Sequence, residues 1–347
     1  MPPSLGTFWG RFAMTPLLIA VIVCAVGFAF VNGFHDTANA IATTVYTRAL
    51  GVGAAIALAA VMNFVGTLVS QNVAKTITNG IVMPGVLVAG SGAERVILAT
   101  LIAALIWSLF TWWRAIPCSS SHALIGGLIG ATLVFTLGLG GINWVGVLEK
   151  VVLPLFTSPL IGFFVGFLLM KLIFGLFARM QRPHANKLFL RLQILSAAFV
   201  AFAHGTNDSQ KAMGIMTLAL VAGGVQGADA PIPFWVTLLC AVTLAAGTSI
   251  GGWRVMKTVG SGVTKLNPAN GFAAQTASAL TIEAMSLVGA PISTTQVITC
   301  AVMGAGSARR LRSVKWATAK SIVWTWVITL PVAAVLGAAA MALVGLF

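Results

Sequence analysis

Residues 16–31, 52–70, 96–113, 123–139, 151–177, 233–253 and 321–346 are apolar stretches. Each is close to the roughly 20 residues that an α-helix needs to cross a bilayer. Between them the chain carries little charge: 7% of the 347 residues are charged and 59% are hydrophobic. A soluble domain carries about 25% charged residues, so no soluble fold could cover its surface with this composition. An all-α, multi-pass membrane protein is what remains. The apolar run near the N-terminus has no small-residue cleavage site behind it and reads as a retained first helix.

The formal net charge of +14 raises nucleic acid as a partner, but the placement of the charge argues against it. Five of the 20 basic residues fall within 171–191 and five within 309–320, with Arg254, Lys257 and Lys265 between. Clusters beside apolar spans are what the positive-inside rule puts in cytoplasmic loops, as solvated charges that set orientation; a specific anionic-lipid site is the alternative. Cys24, Cys118, Cys240 and Cys300 lie in or beside apolar segments without metal-ligand spacing and read as small buried hydrophobes.

The chain repeats itself. Phe30-Val31-Asn32-Gly33-Phe34-His35-Asp36-Thr37 returns 172 positions on as Phe202-Ala203-His204-Gly205-Thr206-Asn207-Asp208-Ser209. Pro117-Cys118-Ser119-Ser120-Ser121-His122 returns 174 positions on as Pro291-Ile292-Ser293-Thr294-Thr295-Gln296. Gly130-Ala131 and Gly304-Ala305 follow in step, then Leu153-Pro154 and Leu330-Pro331. Order and spacing persist together, which marks a duplication. The expected organisation is a first repeat over 1–178, a short cytoplasmic connection over 179–191 and a second repeat over 192–347. With 171–191 in the cytoplasm, crossings at 14–48, 52–73, 95–113, 117–138 and 146–177 place the N-terminus outside. Crossings at 192–222, 233–253, 271–289, 291–305 and 319–346 place the C-terminus outside too. An odd number per half inverts one half relative to the other, the plan of many secondary transporters, with about 10–12 segments and broken or re-entrant helices.

Ionisable groups inside membrane spans default to functional hypotheses. Asp36 and Asp208 hold matching positions, each beside a glycine and small polar residues. Around them Thr37, Asn39, Asn207, Ser209 and Gln210 offer the carboxylate, amide and hydroxyl oxygens that suit a sodium ion or a proton relay. A structural carboxylate tying helices together is the plainer reading, and the two symmetric copies weigh against it. The triplets Ser119, Ser120, Ser121 and Ser293, Thr294, Thr295 each follow a proline and open a helical run. Hydroxyls and free N–H groups at a helix N-terminus can cradle an anion, or can be N-caps. Lys211 stands where the first repeat has Asn39: a snorkelling lysine, or a fixed ammonium that replaces a cation or holds the anion. His35 and His122 ordinarily titrate near neutrality, and Glu283 lies within a span without a counterpart in the other repeat. Several tryptophans, Trp107 and Trp326 among them, read as interfacial anchors.

These motifs, Gly33-Phe34-His35-Asp36-Thr37-Ala38-Asn39-Ala40, Gly205-Thr206-Asn207-Asp208 and the paired triplets, closely resemble the inorganic phosphate transporter (PiT) family over nearly the whole chain. The resemblance implies an inverted-repeat helical fold and symport of inorganic phosphate with H+ or Na+, with no other cofactor. It also implies a site built from the two acidic segments and the two triplets. His35 and the Gln210-Lys211 pair look like the bacterial low-affinity branch, which is proton-coupled and carries neutral metal–phosphate complexes. Gln296 departs from the pattern, standing where histidine is usual. The expected location is the inner (plasma) membrane, and a homodimer is left open. Sodium coupling, or sulfate as the anion, are the alternatives within the family. A channel would not need matched broken helices. Adjacent Ser121 and His122 are not a nucleophile–base pair, so a hydrolase is not expected.

Overall fold

A computed structural model describes residues 15–83, 85–87, 92–227, 229–252, 255–256, 258 and 263–346, apart from the side chains of residues 78 and 79. Arg254 and Lys257 of the basic clusters, and residues 1–14, lie outside the described residues. Among the described residues the principal helices are α1 (Pro16–Tyr46), α2 (Val52–Thr67), α3 (Asn72–Gly80), α4 (Ala93–Trp113), α5 (Ser120–Phe135), α6 (Trp144–Leu176), α7 (Arg182–Ala222), α8 (Phe234–Ile250), α9 (Pro268–Leu287), α10 (Thr294–Ser307) and α11 (Trp316–Val344). Among the described residues there is no strand, only two isolated bridges. Five helices among the described residues, α1, α4, α6, α7 and α11, are long and apolar enough to cross a membrane.

The contacts fix which ends lie together. Thr15, at the start of α1, is within 3.5 Å of Glu94 at the start of α4. Thr15, Glu94, Arg95 and Val344 line one cavity, and Gly223 beyond the end of α7 sits against Glu94. At the other face Thr47, after α1, donates to Gln193, about three turns into α7, at 2.6 Å, and Gln193 also packs on Gly271 at the start of α9. Gly306 at the end of α10 packs on Thr264, whose hydroxyl donates to Ser313 O at 3.1 Å. This second face carries the 171–191 and 309–320 clusters and is called the basic face below.

Two consequences follow. The α2–α3 pair is one broken traverse: the N-terminus of α3 is held by Gln210 Oε1, which accepts from Val73 N at 2.7 Å and Ala74 N at 3.1 Å. The α4–α5 pair is a hairpin. It leaves the Glu94 face, turns beside His35 and Lys211, and returns with Phe135 against Gly92. Residues 95–113 and 117–138 are therefore the arms of one hairpin and not two traverses, and α9–α10 repeats this from the basic face. Hydropathy counts apolar length and is blind to a return, but a hairpin leaves the parity of each half unchanged.

The duplication is visible in hydrogen bonds. The 3₁₀ turns Leu139–Gly141 and Leu311–Ser313 each precede a helix whose first tryptophan donates back to them. Trp144 Nε1 donates to Leu139 O at 3.1 Å and Trp316 Nε1 to Leu311 O at 3.0 Å. The bridges Val82–Ile142 and Thr264–Val314 stand in the same relation to them. Packing exchanges partners between the repeats: α1 lies on α8 and α7 on α2, while α5 lies on α11 and α10 on α6. Each crossing is made at glycine. Gly33 faces the Leu244 carbonyl and Gly205 the Asn63 carbonyl, while Gly130 faces Ala334 O and Gly304 faces Phe163 O. Small residues let backbones approach in a bilayer, where apolar side chains gain nothing over lipid by being buried. This reciprocity fits the inverted arrangement expected from the repeats.

Candidate functional site

Asp36 and Asp208 are brought together by this exchange, in the middle of α1 and α7, and both are buried. The residue that joins them is His204, one turn before Asp208 on α7. Its Nε2 lies 3.3 Å from Asp208 Oδ2 and 3.9 Å from Asp36 Oδ2. One ligand atom from each of Asp36, His204 and Asp208 falls within 4.8 Å of the others, a geometry that could gather a cation. Asn32, the counterpart of His204 in the first repeat, donates to Asp208 Oδ2 at 3.4 Å.

Hydrogen bonding fixes the protons around His204. Thr248 Oγ1 donates to Leu244 O, so it accepts from Asn63 Nδ2 at 2.9 Å. Asn63 Oδ1 therefore faces His204 Nδ1 at 3.0 Å, and Nδ1 is a donor. In a neutral imidazole the other nitrogen would then turn its lone pair towards two carboxylates. The arrangement is satisfied by one further proton, on the imidazole or on a carboxyl group. His35 is placed similarly: Nδ1 donates to Asp36 Oδ1 at 3.0 Å, with Thr111 Oγ1 3.4 Å and Cys118 Sγ 3.9 Å from Nε2.

Lys211 is 1% exposed, and its Nζ is 2.7 Å from Asp208 Oδ1 and 3.3 Å from Ser120 Oγ. It does not snorkel; it is an internal counter-ion at the tip of the α4–α5 hairpin. Facing it, Thr294 at the start of α10 donates to Asp208 Oδ2 at 3.2 Å, and Thr295 to Asp36 Oδ1 at 3.3 Å. Asn39 Nδ2 donates to Thr295 Oγ1 at 2.9 Å, leaving Asn39 Oδ1 and Asp36 Oδ2 buried without a hydrogen-bond partner. The site thus offers hydroxyls, an ammonium, the first-turn N–H groups of two helices, and two carboxylates.

Other candidates are committed elsewhere. Ser119 and Ser293 are N-caps, accepting from His122 N at 3.2 Å and Gln296 N at 3.3 Å. Ser121 Oγ donates to Ile292 O at 2.7 Å, tying one hairpin tip to the other. Thr37 and Ser209 donate to the carbonyls of Gly33 and Gly205, four residues back. Gln210 caps α3 and also bonds Thr206 O. Asn207 turns to Ser286 Oγ and Ala290 O, away from Asp208. Glu283, half-buried, accepts from Thr206 Oγ1 at 2.9 Å. Of the supposed anchors, Trp107 bonds Thr329 across to α11 at 3.2 Å and Trp326 is buried. The sequence reading passes over His204, Asn32 and Asn63. A signal for the first two is there: Asn32-x-x-x-Asp36 and His204-x-x-x-Asp208 repeat an i, i+4 pair on one helix face.

Comparison with known proteins agrees with this architecture. A relative from Bacillus subtilis, described as a "Probable low-affinity inorganic phosphate transporter", is 47% identical over 324 residues, covering 93% of this chain and 96% of the relative. One from Rhizobium meliloti with the same description is 45% identical, covering 93% and 95%. A solved structure titled "The sodium-dependent phosphate transporter" superposes with a TM-score of 0.87 at 28% identity, over 96% of this chain and all of that one. The model of the PHO4 phosphate transporter family matches residues 32–337, and the chain belongs to that family.

Proposed function

We propose that this phosphate transporter is a proton-coupled symporter of inorganic phosphate, and that Asp36, Asp208, His204 and Lys211 form its coupling centre. The observation that carries the reading is His204, whose Nδ1 is committed to Asn63 and whose Nε2 faces both carboxylates. Two carboxylates against one ammonium leave the site negative, and phosphate entering it would be repelled through a medium that screens poorly. Protons taken up by His204 and the acids remove that obstacle. Losing phosphate and protons together on the other side restores it. Thr294, Thr295, Ser120 and Lys211 supply donors for the anion, as hydroxyls and charge at helix N-termini do.

Lys211 weighs against a sodium ion in the second repeat. It offers three donors and no acceptor, and its charge repels a cation where Asn39 offers an oxygen. A second reading rests on the first repeat, where Asp36 Oδ2 and Asn39 Oδ1 are free of hydrogen bonds and are the hard oxygens sodium prefers. The ligand atoms of Asp36, His204 and Asp208 would also suit the metal of a metal–phosphate complex as cargo. Phosphate uptake into proteoliposomes, with proton and sodium gradients imposed separately, decides between protons and sodium. The proton reading expects uptake under an inward proton gradient at any sodium concentration, abolished by a protonophore. Strict dependence on sodium, without response to protons, overturns it.

A further inference from the structure

From the site to the basic face, α1 and α10 run in the same direction. They touch through Asn39 and Thr295 at 2.9 Å, and both end where Thr47, Gln193, Gly271 and Thr264 gather. One turn beyond this contact, α1 presents Thr43 and α10 presents Thr299, and the hydroxyls of both are buried without a hydrogen-bond partner among the described residues. Next to them Asn39 Oδ1 and both amide atoms of Gln296 are also unpartnered. Native interiors rarely leave such groups unpaired, and each costs about 1–3 kcal/mol if nothing answers it. Asp36, Asn39, Thr43 and Thr47 lie on one face of α1, spaced three or four residues apart, and Thr47 bonds Gln193 at the basic face.

The second repeat has the same course and fills it differently. Thr43, Thr44 and Thr47 correspond to Ile215, Met216 and Ala219 on α7, and Thr299 to Ile125 on α5. All four of these are buried in one hydrophobic cluster, together with Ile129 and Leu128, and the unpartnered His122 Nδ1 and Thr132 Oγ1 lie before and beyond that cluster on α5. The polar course leads from the acids towards the basic face, the apolar one towards the Glu94 face.

We propose that a file of water molecules runs between α1 and α10, from Asn39 past Thr43 and Thr299 to the basic face, and that the matching course between α7 and α5 is interrupted by a dry stretch at Ile125, Ile215 and Met216. Buried water makes two to four hydrogen bonds to such unpaired groups, whereas an isoleucine- and methionine-lined space stays empty of it. In this conformation the site exchanges protons or small cations with the basic face alone, and the Ile125–Ile215–Met216 cluster is the barrier on the other side. This holds whether the coupling ion is H+ or Na+.

Silver ions, which travel through water-filled spaces and bind thiolates, test it. Thr43→Cys, Thr299→Cys, Ile215→Cys and Ile125→Cys would each be exposed to silver nitrate in proteoliposomes. Protection of the introduced thiol from later alkylation is read peptide by peptide, so the native cysteines can stay. Thiols at 43 and 299 should be protected about tenfold faster or more, since the reacting thiolate forms only where water reaches it. Equal rates, or faster reaction at 215 and 125, overturn the proposal. Should a variant fail to insert, deuterium uptake of the unmodified protein gives the same contrast: amides of 39–47 exchange before those of 211–219. Simultaneous exchange in the two segments counts against the water file.

Discussion

The ammonium of Lys211 lies 2.7 Å from a carboxylate oxygen of Asp208, one turn away on the same helix, and both groups are sealed from solvent. Removing one partner of such a pair strands the other charge, at a cost of about 3–5 kcal/mol. Asp208→Asn should therefore lower the thermal unfolding midpoint in detergent markedly, and more than Asp36→Asn, which leaves no lysine unpaired. The double variant Asp208→Asn/Lys211→Met should recover much of that stability without recovering phosphate uptake. If Asp208→Asn alone is as stable as the parent, the ion pair does not have the role given to it.

His204 should separate binding from coupling. His204→Asn keeps a donor towards Asn63 but removes the Nε2 that faces both acids. Concentrative uptake under a proton gradient should fall about tenfold or more, which corresponds to losing roughly 1.5–3 kcal/mol from a bond to a charged group. Phosphate–phosphate counterflow, which needs no net proton movement, should suffer less. Equal loss of both activities would make His204 a scaffold residue only.

Much of this was legible in the sequence because duplication is a pattern of identity and spacing. Asp36 and Asp208 stand out as charges inside apolar spans, and their glycines mark where helices touch. What was not legible is direction and partner. The α4–α5 hairpin and a true pair of traverses have the same apolar lengths. Ser119 and Ser121 sit beside Ser120 in the chain, yet the first caps its helix, the second crosses to Ile292, and only Ser120 meets Lys211. Gln210 adjoins Lys211 but points the other way, one position being about 100° around a helix. His204 was hidden by the repeat itself, since its counterpart is the neutral Asn32.

The triplets should accordingly divide by residue. Thr294→Val and Thr295→Val remove hydroxyls that contact the acids and should each weaken phosphate binding about tenfold, the worth of one hydrogen bond to a charged ligand. Ser119→Ala and Ser293→Ala remove N-caps, which costs about 1 kcal/mol of stability and should leave the phosphate Kd within about twofold. Isothermal titration in detergent, beside thermal unfolding, measures both. Weaker binding from the serine variants with no change from the threonine variants would reverse the assignment.

The glycine crossings supply a test of the exchanged packing that is independent of transport. A Cβ on Gly130 would meet the Ala334 carbonyl of α11, and one on Gly304 the Phe163 carbonyl of α6. Backbone carbonyls inside helices cannot rotate aside as a flexible side chain could, so α5 and α11, or α10 and α6, would have to move apart. Overpacking of this kind costs about 1–3 kcal/mol, and here it would also separate the hairpin tips that hold Ser120, Thr294 and Thr295 at the acids. Gly53, near the start of α2, has nothing within 4 Å of the same position. Alanine there should be neutral or stabilising by up to about 1 kcal/mol, through helix propensity alone. Gly130→Ala and Gly304→Ala should thus each lower the unfolding midpoint and phosphate uptake while Gly53→Ala lowers neither. Because the two crossings are counterparts in the repeats, their losses should be of similar size. Wild-type stability in Gly130→Ala would mean that α5 and α11 do not approach as closely as described.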